Sequence, residues 1–479
     1  MRVLLPLIGL GLCHATDDVT LSAVSALRGA AAAVVEEATK VIGASASGDG
    51  EAEATYGYDN SSAHGRRLGA PPTAMGYKGI EWSPISVYGS GVKHIFAIGD
   101  WGGMDGSLMP CCGRPQIIAY SGGNTPGPHV FPRSRWNRAH SELLCNHKQF
   151  VECFDTRGSR CAAGCGFVPE IDMQPQFLVA NAFKARAAMK NPDYILNVGD
   201  NFYWGGIEID CGSTPMSQIS GTARHQFNNI FEGIYQGAGL SNKPWLSVLG
   251  NHDWGGRQFY NGWDQQIAYT WASNRWRMPA PYWSQHVSYP DLGFDVDIIM
   301  HDSNAMDAKD PGADPEHNMC SRKHNRPDAS CASAGGPASV DSCKGWFWGL
   351  YAEQKPWVEA KLSNSKADWQ IMVTHFPCGH DSGWYRSLHT RLGLDLLVTG
   401  HRHDQELGSN WGALGGMMCI VTGGGGGITS EASPWDRSQW YGEAQYGFYD
   451  LTISKDKIFI ESINYDGKVL KSATVRPSR

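Results

Sequence analysis

The hydrophobic pattern of the chain changes at Gly91. Beyond this residue, short apolar runs alternate with polar loops and with segments whose apolar residues recur at helical spacing, which predicts an α/β fold. Helices are predicted from Pro175 to the residue before Asn191, over 217–235, and from about 356 to 362. Strands are predicted at 94–98, 194–198, 244–249, 294–300, 369–373, 394–398, 419–422, 446–453 and 458–463.

The residues before Gly91 have a different character. A basic residue, an apolar run through Leu12 and small residues at Cys13 and Ala15 predict a signal peptide over 1–15, and therefore a secreted, secretory-pathway or lysosome-like location. Residues 16–90 are predicted to be a low-complexity extension or propeptide. The pair at 66–67, Arg-Arg, is either a cleavage site or part of a plain exposed loop.

The cysteines predict disulfides. Cleavage after Ala15 leaves twelve of the thirteen cysteines, an even number, although the sequence does not specify their pairing. Six of them lie in the polar stretch 104–170, which indicates a disulfide-stapled insertion, with a zinc module as the alternative. A second insertion, a surface loop, is predicted over 308–345, and Asn60 begins a glycosylation sequon.

Composition narrows the possible partners. The 479 residues are 42% hydrophobic and 18% charged, which is typical of a soluble globular protein, and the formal net charge is -7. No basic stretch with interleaved aromatic residues occurs, which argues against a nucleic-acid partner. No apolar run after the signal peptide is long enough to span a bilayer, so stable membrane insertion is not expected. The oligomeric state stays open.

Five predicted strands end in polar residues that suit metal binding. Ligands of α/β sheets bind beyond the carboxyl ends of the strands, so such residues can meet in one cleft. Taken singly, each has a plainer interpretation as a turn residue, a helix cap or a buried histidine. Their joint occurrence favours a common site, formed by Asp100, Asp200 with Tyr203, Asn251 with His252, His375, and His401 with His403.

The residue types in this set predict two metal ions. Without His252, the set offers two carboxylates, one phenol, one amide oxygen and three imidazoles, which is more than a single tetrahedral zinc ion uses. Two metals that share a carboxylate would use all of them. A phenolate is a hard anionic oxygen, so Tyr203 indicates ferric iron at one of the two positions.

Five motifs in this sequence resemble those of a known family. Gly-Asp-Trp-Gly at 99–102, Gly-Asp-Asn-Phe-Tyr at 199–203, Gly-Asn-His-Asp at 250–253, Val-Thr-His-Phe-Pro at 373–377 and Gly-His-Arg-His at 400–403 are similar to the metal-binding blocks of the purple acid phosphatases. Among these calcineurin-like metallophosphoesterases, the small tartrate-resistant type is the most similar. The resemblance covers roughly 91–470, leaves a tail over 471–479, and implies a two-sheet β-sandwich flanked by helices in four αββα layers.

The resemblance also implies a role for each site residue. His252 matches a histidine that contacts the phosphate and protonates the leaving group. His380 is a candidate second active-site histidine, although it lies nearer to His375 than the family spacing. The implied ferric site is Asp100, Asp200, Tyr203 and His403, and the implied site for Fe²⁺, Zn²⁺ or Mn²⁺ is Asp200, Asn251, His375 and His401, with Asp200 bridging.

The activity implied by the resemblance is that of a secreted acid phosphatase. A metal-bound hydroxide would attack the phosphorus of a phosphate monoester on a small molecule or a protein. A metal-dependent phosphodiesterase or nucleotide hydrolase is a second hypothesis, because the same core can cleave diesters. A third is a scaffold protein that keeps the fold without turnover. Missing ligands would indicate the scaffold, and all seven are present.

Overall fold

The computed structural model describes residues 68–102, 175–203, 205–315, 317–427 and 446–478. All described residues belong to one compact unit of the chain. The predicted signal peptide, Asn60, most of the N-terminal extension and the cysteine-rich stretch 104–170 lie outside the described residues.

Fourteen strands of the described chain form two seven-stranded sheets. The first sheet has the order β1-β6-β7-β8-β9-β11-β10, and the second has the order β14-β13-β12-β2-β3-β4-β5. The strands are β1 (Glu81–Ser86), β2 (Lys93–Ile98), β3 (Tyr194–Asn197), β4 (Trp245–Ser247), β5 (Trp276–Arg277), β6 (Trp283–Tyr289), β7 (Phe294–Met300), β8 (Trp369–Val373), β9 (Leu396–Thr399), β10 (Gln405–Leu407), β11 (Met418–Thr422), β12 (Gly447–Ile453), β13 (Ile458–Asn464) and β14 (Val469–Val475).

The central strands of both sheets run parallel. In the second sheet β2 pairs in parallel with β3, and β3 with β4. In the first sheet β7 pairs in parallel with β8, and β8 with β9. Antiparallel strands continue both sheets, as in the pairing of β12 with β13. The carboxyl ends of neighbouring parallel strands lie at one sheet edge, which brings the loops that follow them together.

The two sheets pack face to face around an apolar layer. On β2, Ile95 and Ala97 point into this layer, whereas Phe96 and Ile98 belong to the outer cluster that includes the helices. The ring of Phe96 packs edge-on against Phe183 at a centroid distance of 5.1 Å. Because both faces of β2 are covered, its last four positions are all apolar instead of alternating with polar residues.

Helices cover the outer faces of the sheets. The helices are α1 (Pro175–Lys190), α2 (Gly221–Gln226), α3 (Trp263–Ala268), α4 (Val340–Asn364) and α5 (Ser382–Leu392). On the first sheet, Met372 and Leu397 pack with Val358 and Leu362 of α4 and Leu388 of α5. The structure therefore confirms the predicted two-sheet sandwich flanked by helices.

Helix α4 begins earlier than the sequence indicates. The sequence predicts a helix from about 356 to 362, yet Pro356 lies in the interior of the 25-residue helix. The actual start at Val340 is capped by Ser339, whose hydroxyl oxygen accepts the Ser342 N–H at 3.2 Å. A buried face that includes Val358 and Leu362 holds the helix together across the proline.

The predicted helix over 217–235 is shorter and irregular. It begins at Gly221, where the Ser220 hydroxyl oxygen accepts the Ala223 N–H at 3.0 Å. After Gln226 the helix widens into a π-helical segment, Phe227–Glu232, which buries Phe227 and Phe231. The apolar spacing predicted one continuous helix, whereas the structure has a short α-helix followed by a π-helical segment with two buried aromatic rings.

Both predicted ends of the catalytic domain need correction. Strand β1 lies within 16–90, the predicted extension, and pairs in parallel with β6. Strand β14 crosses the predicted boundary at 470 and pairs with β13. Both are edge strands with mostly exposed or half-buried residues, so they lack the apolar runs that mark central strands.

The structure contains three disulfides among the described cysteines, which confirms the expectation of disulfides. They are Cys211–Cys331, Cys320–Cys343 and Cys378–Cys419. The stretch 308–345 was predicted to be a surface loop, but Met319, Cys320 and Cys331 are fully buried, because two of the disulfides draw it into the core. Among the described residues, no helix is both long enough and apolar enough to cross a bilayer.

Candidate metal centre

The five polar strand ends meet at one edge of the sandwich. Asp100, Asp200 and Asn251 follow β2, β3 and β4 of the second sheet, while His375 and His401 follow β8 and β9 of the first. Hydrogen bonds and close contacts, given below, join the two groups. The site is therefore built jointly by both sheets.

The backbone at this edge adopts a rare conformation. Three non-glycine residues have positive φ angles, with 56° at Asp100, 51° at Asp200 and 71° at His401. Such angles are unfavourable for residues with a Cβ and persist only when the surroundings enforce them. Here the Asp100 N–H donates to the Gly199 carbonyl at 2.9 Å, and the His401 N–H donates to both carboxyl oxygens of Asp100 at 3.1 Å.

The phenol of Tyr203 is the centre of one half of the site. Its oxygen lies 2.8 Å from Asp200 Oδ2, 3.2 Å from Asp100 Oδ1 and 3.2 Å from His403 Nε2. His403 Nε2 is also 3.7 Å from Asp100 Oδ1. The four side chains that the family resemblance implies for the ferric site therefore face one point, and all four are buried.

The amide oxygen of Asn251 is the centre of the other half. It lies 2.9 Å from His375 Nε2 and 3.1 Å from His401 Nδ1. Asp200 Oδ1 is 3.4 Å from His375 Nε2, whereas Asp200 Oδ2 faces Tyr203. One carboxyl group thus turns one oxygen to each half, as a bridging ligand requires.

The hydrogen-bonding capacity of His375 shows that this half suits a cation. His375 Nδ1 lies 2.9 Å from the Val198 carbonyl oxygen, which only accepts, so Nδ1 carries the hydrogen. In the neutral ring Nε2 is then a lone pair that faces the amide oxygen of Asn251. Two acceptors at 2.9 Å require a positive charge between them, either a proton or a metal ion.

In the other half, three polar atoms surround one hydroxyl group. Tyr203 has one hydroxyl hydrogen but three neighbours that accept or can accept, namely two carboxyl oxygens and His403 Nε2. The possible metal ligand atoms of Asp100, Asp200 and His375 all lie within 4.8 Å of one another. The residues therefore fit a pair of metal ions that share Asp200.

The electrostatics of the acidic groups agree with this interpretation. Burial, reinforced by the Asp100 and Asp200 charges, raises the pKa of Tyr203 well above its usual range. Burial also raises the pKa of Asp100, against the opposing effect of His375. For Asp200, burial is outweighed by His375 and His252, so its pKa is lowered. A bound cation would favour the charged forms of Tyr203 and Asp100.

The histidines show the complementary effect. Burial disfavours a charge on His375, but the Asp200 and Asp100 carboxylates outweigh it and raise the pKa of His375 to about 10. Burial and the charge of His375 lower the pKa of His401 well below its usual range. The site therefore attracts one positive charge at His375 and keeps His401 neutral, and a metal ion can replace that proton.

The two candidate catalytic histidines lie at different depths. His252 is buried, its backbone N–H donates to Asp200 Oδ1 at 2.9 Å, and its ring lies over Tyr203 at a centroid distance of 4.6 Å. His380 is exposed, with its ring 6.5 Å from that of His401 and 5.1 Å from that of Phe376. His252 thus belongs to the floor of the site and His380 to its rim.

Sequence reasoning missed the residues that support the ligands. Ser303 Oγ accepts hydrogen bonds from Thr374 Oγ1 and the Phe376 N–H, both at 2.8 Å, and so holds the two neighbours of His375. Asp307 accepts a hydrogen bond from Asn251 at 3.0 Å. Both follow β7, whose end carries no ligand, so no local pattern marked them. A third supporting residue, Asp253, accepts the Gly250 N–H at 2.7 Å and the Asn201 N–H at 2.9 Å, and its position directly after the Asn251-His252 pair was a signal in the sequence.

Comparison with known proteins defines the class of this domain. Residues 172–405 match the calcineurin-like phosphoesterase family. This range contains every proposed ligand except Asp100, and the sandwich and the paired site agree with it. The chain therefore carries a calcineurin-like phosphoesterase domain, and its similarity to purple acid phosphatases follows from individual relatives.

Tartrate-resistant acid phosphatase type 5 of Mus musculus is 24% identical over 252 residues, which cover 50% of this chain and 64% of the mouse protein. Purple acid phosphatase 7 of Arabidopsis thaliana is 24% identical over 314 residues, which cover 63% of this chain and 81% of the plant protein. Among solved structures, GAP50, the anchor in the inner membrane complex of Plasmodium, aligns over 81% of this chain and 90% of its own at 14% identity and a TM-score of 0.44. The chain thus spans slightly less than two thirds of the length of the mouse relative.

Proposed function

We propose that this protein is a secreted acid phosphatase that hydrolyses phosphate monoesters at a dinuclear, iron-containing centre. The observation that carries the proposal is the convergence of seven potential ligands in two halves that share Asp200. In this arrangement Asp200 turns one oxygen to Tyr203 and the other to His375, and the amide oxygen of Asn251 faces two imidazole nitrogens. Carboxylate, phenol, amide and imidazole groups that face one another in this way favour metal ions.

The proposed ferric ion is held by Asp100, Asp200, Tyr203 and His403, and the proposed divalent ion, Fe²⁺, Zn²⁺ or Mn²⁺, by Asp200, Asn251, His375 and His401. When bound, such a pair lowers the pKa of coordinated water and neutralises charge that develops on a phosphoryl group. The phenol oxygen of Tyr203 supports ferric iron, because hard trivalent ions prefer hard anionic oxygens.

The chain's own residues position the substrate and move protons. His252 lies next to both halves, with its N–H on Asp200 and its ring over Tyr203. In the proposed reaction its imidazole contacts the phosphate and protonates the leaving oxygen, which is the ordinary role of a general acid. His380 at the rim would contact the part of the substrate that projects from the site.

The proposal extends to location and partners. Disulfides are typical of secreted proteins and of the secretory pathway, and this supports secretion or a lysosome-like compartment. The proposed substrate is a phosphorylated small molecule or protein. No nucleic-acid partner is proposed, since the chain has no basic stretch with interleaved aromatic residues. No stable membrane insertion is proposed, since no apolar run after the predicted signal peptide is long enough to span a bilayer.

The proposal is tested by metal analysis and a substrate pair. The purified protein is expected to contain iron and a second metal, and to hydrolyse a nitrophenyl phosphate monoester at acid pH much faster than the corresponding diester. The variants Asp200→Ala and His401→Ala should lose this activity and bind less metal. Faster cleavage of the diester would favour the phosphodiesterase hypothesis, and an iron-free, inactive protein would favour a scaffold.

The proposed ferric ion has a separate test. A tyrosine bound to ferric iron absorbs visible light, so Tyr203→Phe is expected to abolish the colour of the purified protein while the fold is retained. Unchanged absorption in this variant would exclude Tyr203 as an iron ligand.

A further inference from the structure

Asn251 is the proposed ligand with an amide side chain, which has an oxygen that accepts hydrogen bonds and a nitrogen that donates them. Its oxygen faces the metal side, at 2.9 Å from His375 Nε2 and 3.1 Å from His401 Nδ1. Its nitrogen Nδ2 donates to Asp307 Oδ2 at 3.0 Å. Asn251 and Asp307 are only 5% and 7% exposed, so water has little access to compete for either end.

An ionised Asp307 carboxyl group is compatible with only one orientation of the Asn251 amide. An ionised carboxyl group accepts hydrogen bonds and donates none, so it must face the NH₂ end of Asn251. The amide oxygen is then directed towards His375 and His401. A rotated amide would place two acceptors together at Asp307 and would present hydrogens, which cannot bind a metal, to the site.

Asp307 follows a strand of the first sheet, whereas Asn251 follows a strand of the second. It ends a short 3₁₀ turn, Asn304–Asp307, that follows β7. Asn304 Nδ2 donates to the Leu249 carbonyl at 2.8 Å, which docks the turn two residues before Asn251. The Met319 N–H donates to the Asp307 carbonyl at 2.9 Å and holds the end of the turn.

We infer that Asp307 is a positioning residue for the divalent half of the metal centre. It fixes the amide oxygen of Asn251 towards the metal, and through the hydrogen bond to Nδ2 it increases the negative charge on that oxygen. Hydrogen bonds to a ligand from the surrounding residues commonly orient the ligand and strengthen its binding. The inference rests on the proposed function, because it takes Asn251 as a ligand.

A purely structural role for Asp307 predicts a different outcome. If the residue only stabilises the turn after β7, its removal would lower the stability of the fold and affect both metal positions alike. A positioning role predicts a selective effect, because Asn251 belongs to the divalent half, whereas Tyr203 belongs to the other. The two halves can be measured separately.

The experiment compares Asp307→Asn and Asp307→Ala with the unmodified full-length protein. After dialysis, the metal content per chain is measured, and Zn²⁺ is titrated back while phosphatase activity and zinc binding are followed. For Asp307→Ala we expect roughly 10- to 100-fold weaker zinc binding, with activity restored by excess Zn²⁺. Asp307→Asn should lose less affinity, because its amide oxygen can still accept from Asn251 but can also rotate away.

The visible absorption that depends on Tyr203 reports on the other half and should be unchanged in both variants. The matched control is Asp310→Asn, the same substitution in the same loop, at a carboxyl group whose side chain is 74% exposed and pairs with Lys344. This control should bind zinc as the unmodified protein does.

Three results would overturn the inference. The first is that Asp307→Ala binds zinc as tightly as the unmodified protein. The second is that both variants lose iron absorption and zinc binding to the same extent and melt at a lower temperature. The third is an unmodified protein that binds neither metal, which would also overturn the proposed function. In the first two results the unmodified protein still binds metal and is active, so the two failures are distinguishable.

Discussion

At the scale of single residues, the site depends on close approaches that leave no room for added atoms. Gly250 precedes Asn251, and a Cβ at this position would lie 2.1 Å from Asp200 Oδ1 and 2.4 Å from the Asp200 nitrogen. These atoms belong to the proposed bridging ligand and its strained backbone, so they cannot retreat without moving the site. The glycine is required here for space.

The variant Gly250→Ala should therefore disturb the metal centre. We expect a loss of bound metal, and a decrease of about 1–3 kcal/mol in the free energy of unfolding from overpacking. Metal content per chain and urea denaturation measure the two effects.

Gly349→Ala is the matched control for this substitution. Gly349 lies exposed in α4, and nothing lies within 4 Å of its added Cβ. Alanine should be neutral there or stabilise the helix by about 0.5–1 kcal/mol. Normal metal content in Gly250→Ala would contradict the close approach.

At the scale of elements, Asp253 joins two loops that carry three of the proposed ligands. Its carboxyl oxygens accept from the Gly250 N–H at 2.7 Å, the Asn201 N–H at 2.9 Å and the Phe202 N–H at 3.1 Å. Gln266 Nε2 of α3 also donates to it at 3.0 Å. One buried side chain thus connects the loop after β3, the loop after β4 and a helix.

Replacing Asp253 should loosen both loops at once. For Asp253→Ala we expect a destabilisation of about 2–4 kcal/mol, because several buried N–H groups lose their acceptor. Metal binding should weaken in parallel, since Asp200 and Asn251 adjoin these loops. Chemical denaturation and metal titration of the same samples provide the measurement.

A suitable comparison is Asp264→Ala in α3. Asp264 is also buried but accepts the Gly212 N–H, nine residues after Tyr203, and not the N–H groups that adjoin the proposed ligands. This variant should lose stability without a specific loss of metal. If Asp253→Ala kept its metal affinity, the coupling between the loops would be disproved.

At the scale of the whole molecule, disulfides constrain segments that are distant in sequence. Cys211–Cys331 joins residues 120 positions apart, whereas Cys320–Cys343 spans 23. A cross-link that closes a longer loop removes more conformational entropy from the unfolded chain. The longer link should therefore contribute more to stability.

Two double variants test this expectation. Relative to Cys320→Ala with Cys343→Ala, the pair Cys211→Ala with Cys331→Ala should lose about 1.5 kcal/mol more in free energy of unfolding, from the dependence of loop entropy on length. Urea denaturation without reductant measures both. An equal loss, or a larger loss for the shorter link, would argue against an entropic origin.

Much of the fold was predictable because its signals are local. The central strands are buried on both faces and appear as apolar runs, and the predicted strands over 294–300 and 369–373 match β7 and β8. Edge strands β1 and β14 were missed because only one side of such a strand packs, so little apolar pattern remains. The helix predicted from about 356 to 362 is much longer, because buried residues on both sides of Pro356 continue it from Val340 to Asn364.

The sequence by itself determined the chemical types of the site. Five strand ends carry carboxylates, a phenol, an amide and imidazoles, and these residue types already indicate metal ions, whereas phosphate chemistry is what the family resemblance implies. This was possible because each proposed ligand lies within five residues of the end of a predicted strand. A strand and the ligands that follow it can therefore be recognised together in one short stretch of sequence. The ligand types and their order therefore needed no three-dimensional information.

Only the tertiary structure decided how these residues act together. His401 and Asp100 are 301 positions apart, yet the N–H of one donates to the carboxyl group of the other. The packing of one sheet against the other also sets three further contacts of the site. These are the contact of Asp200 with His375, that of Asn251 with His375, and that of Asp307 with Asn251. Distances of this kind arise from contacts between segments remote in sequence, which no local pattern encodes.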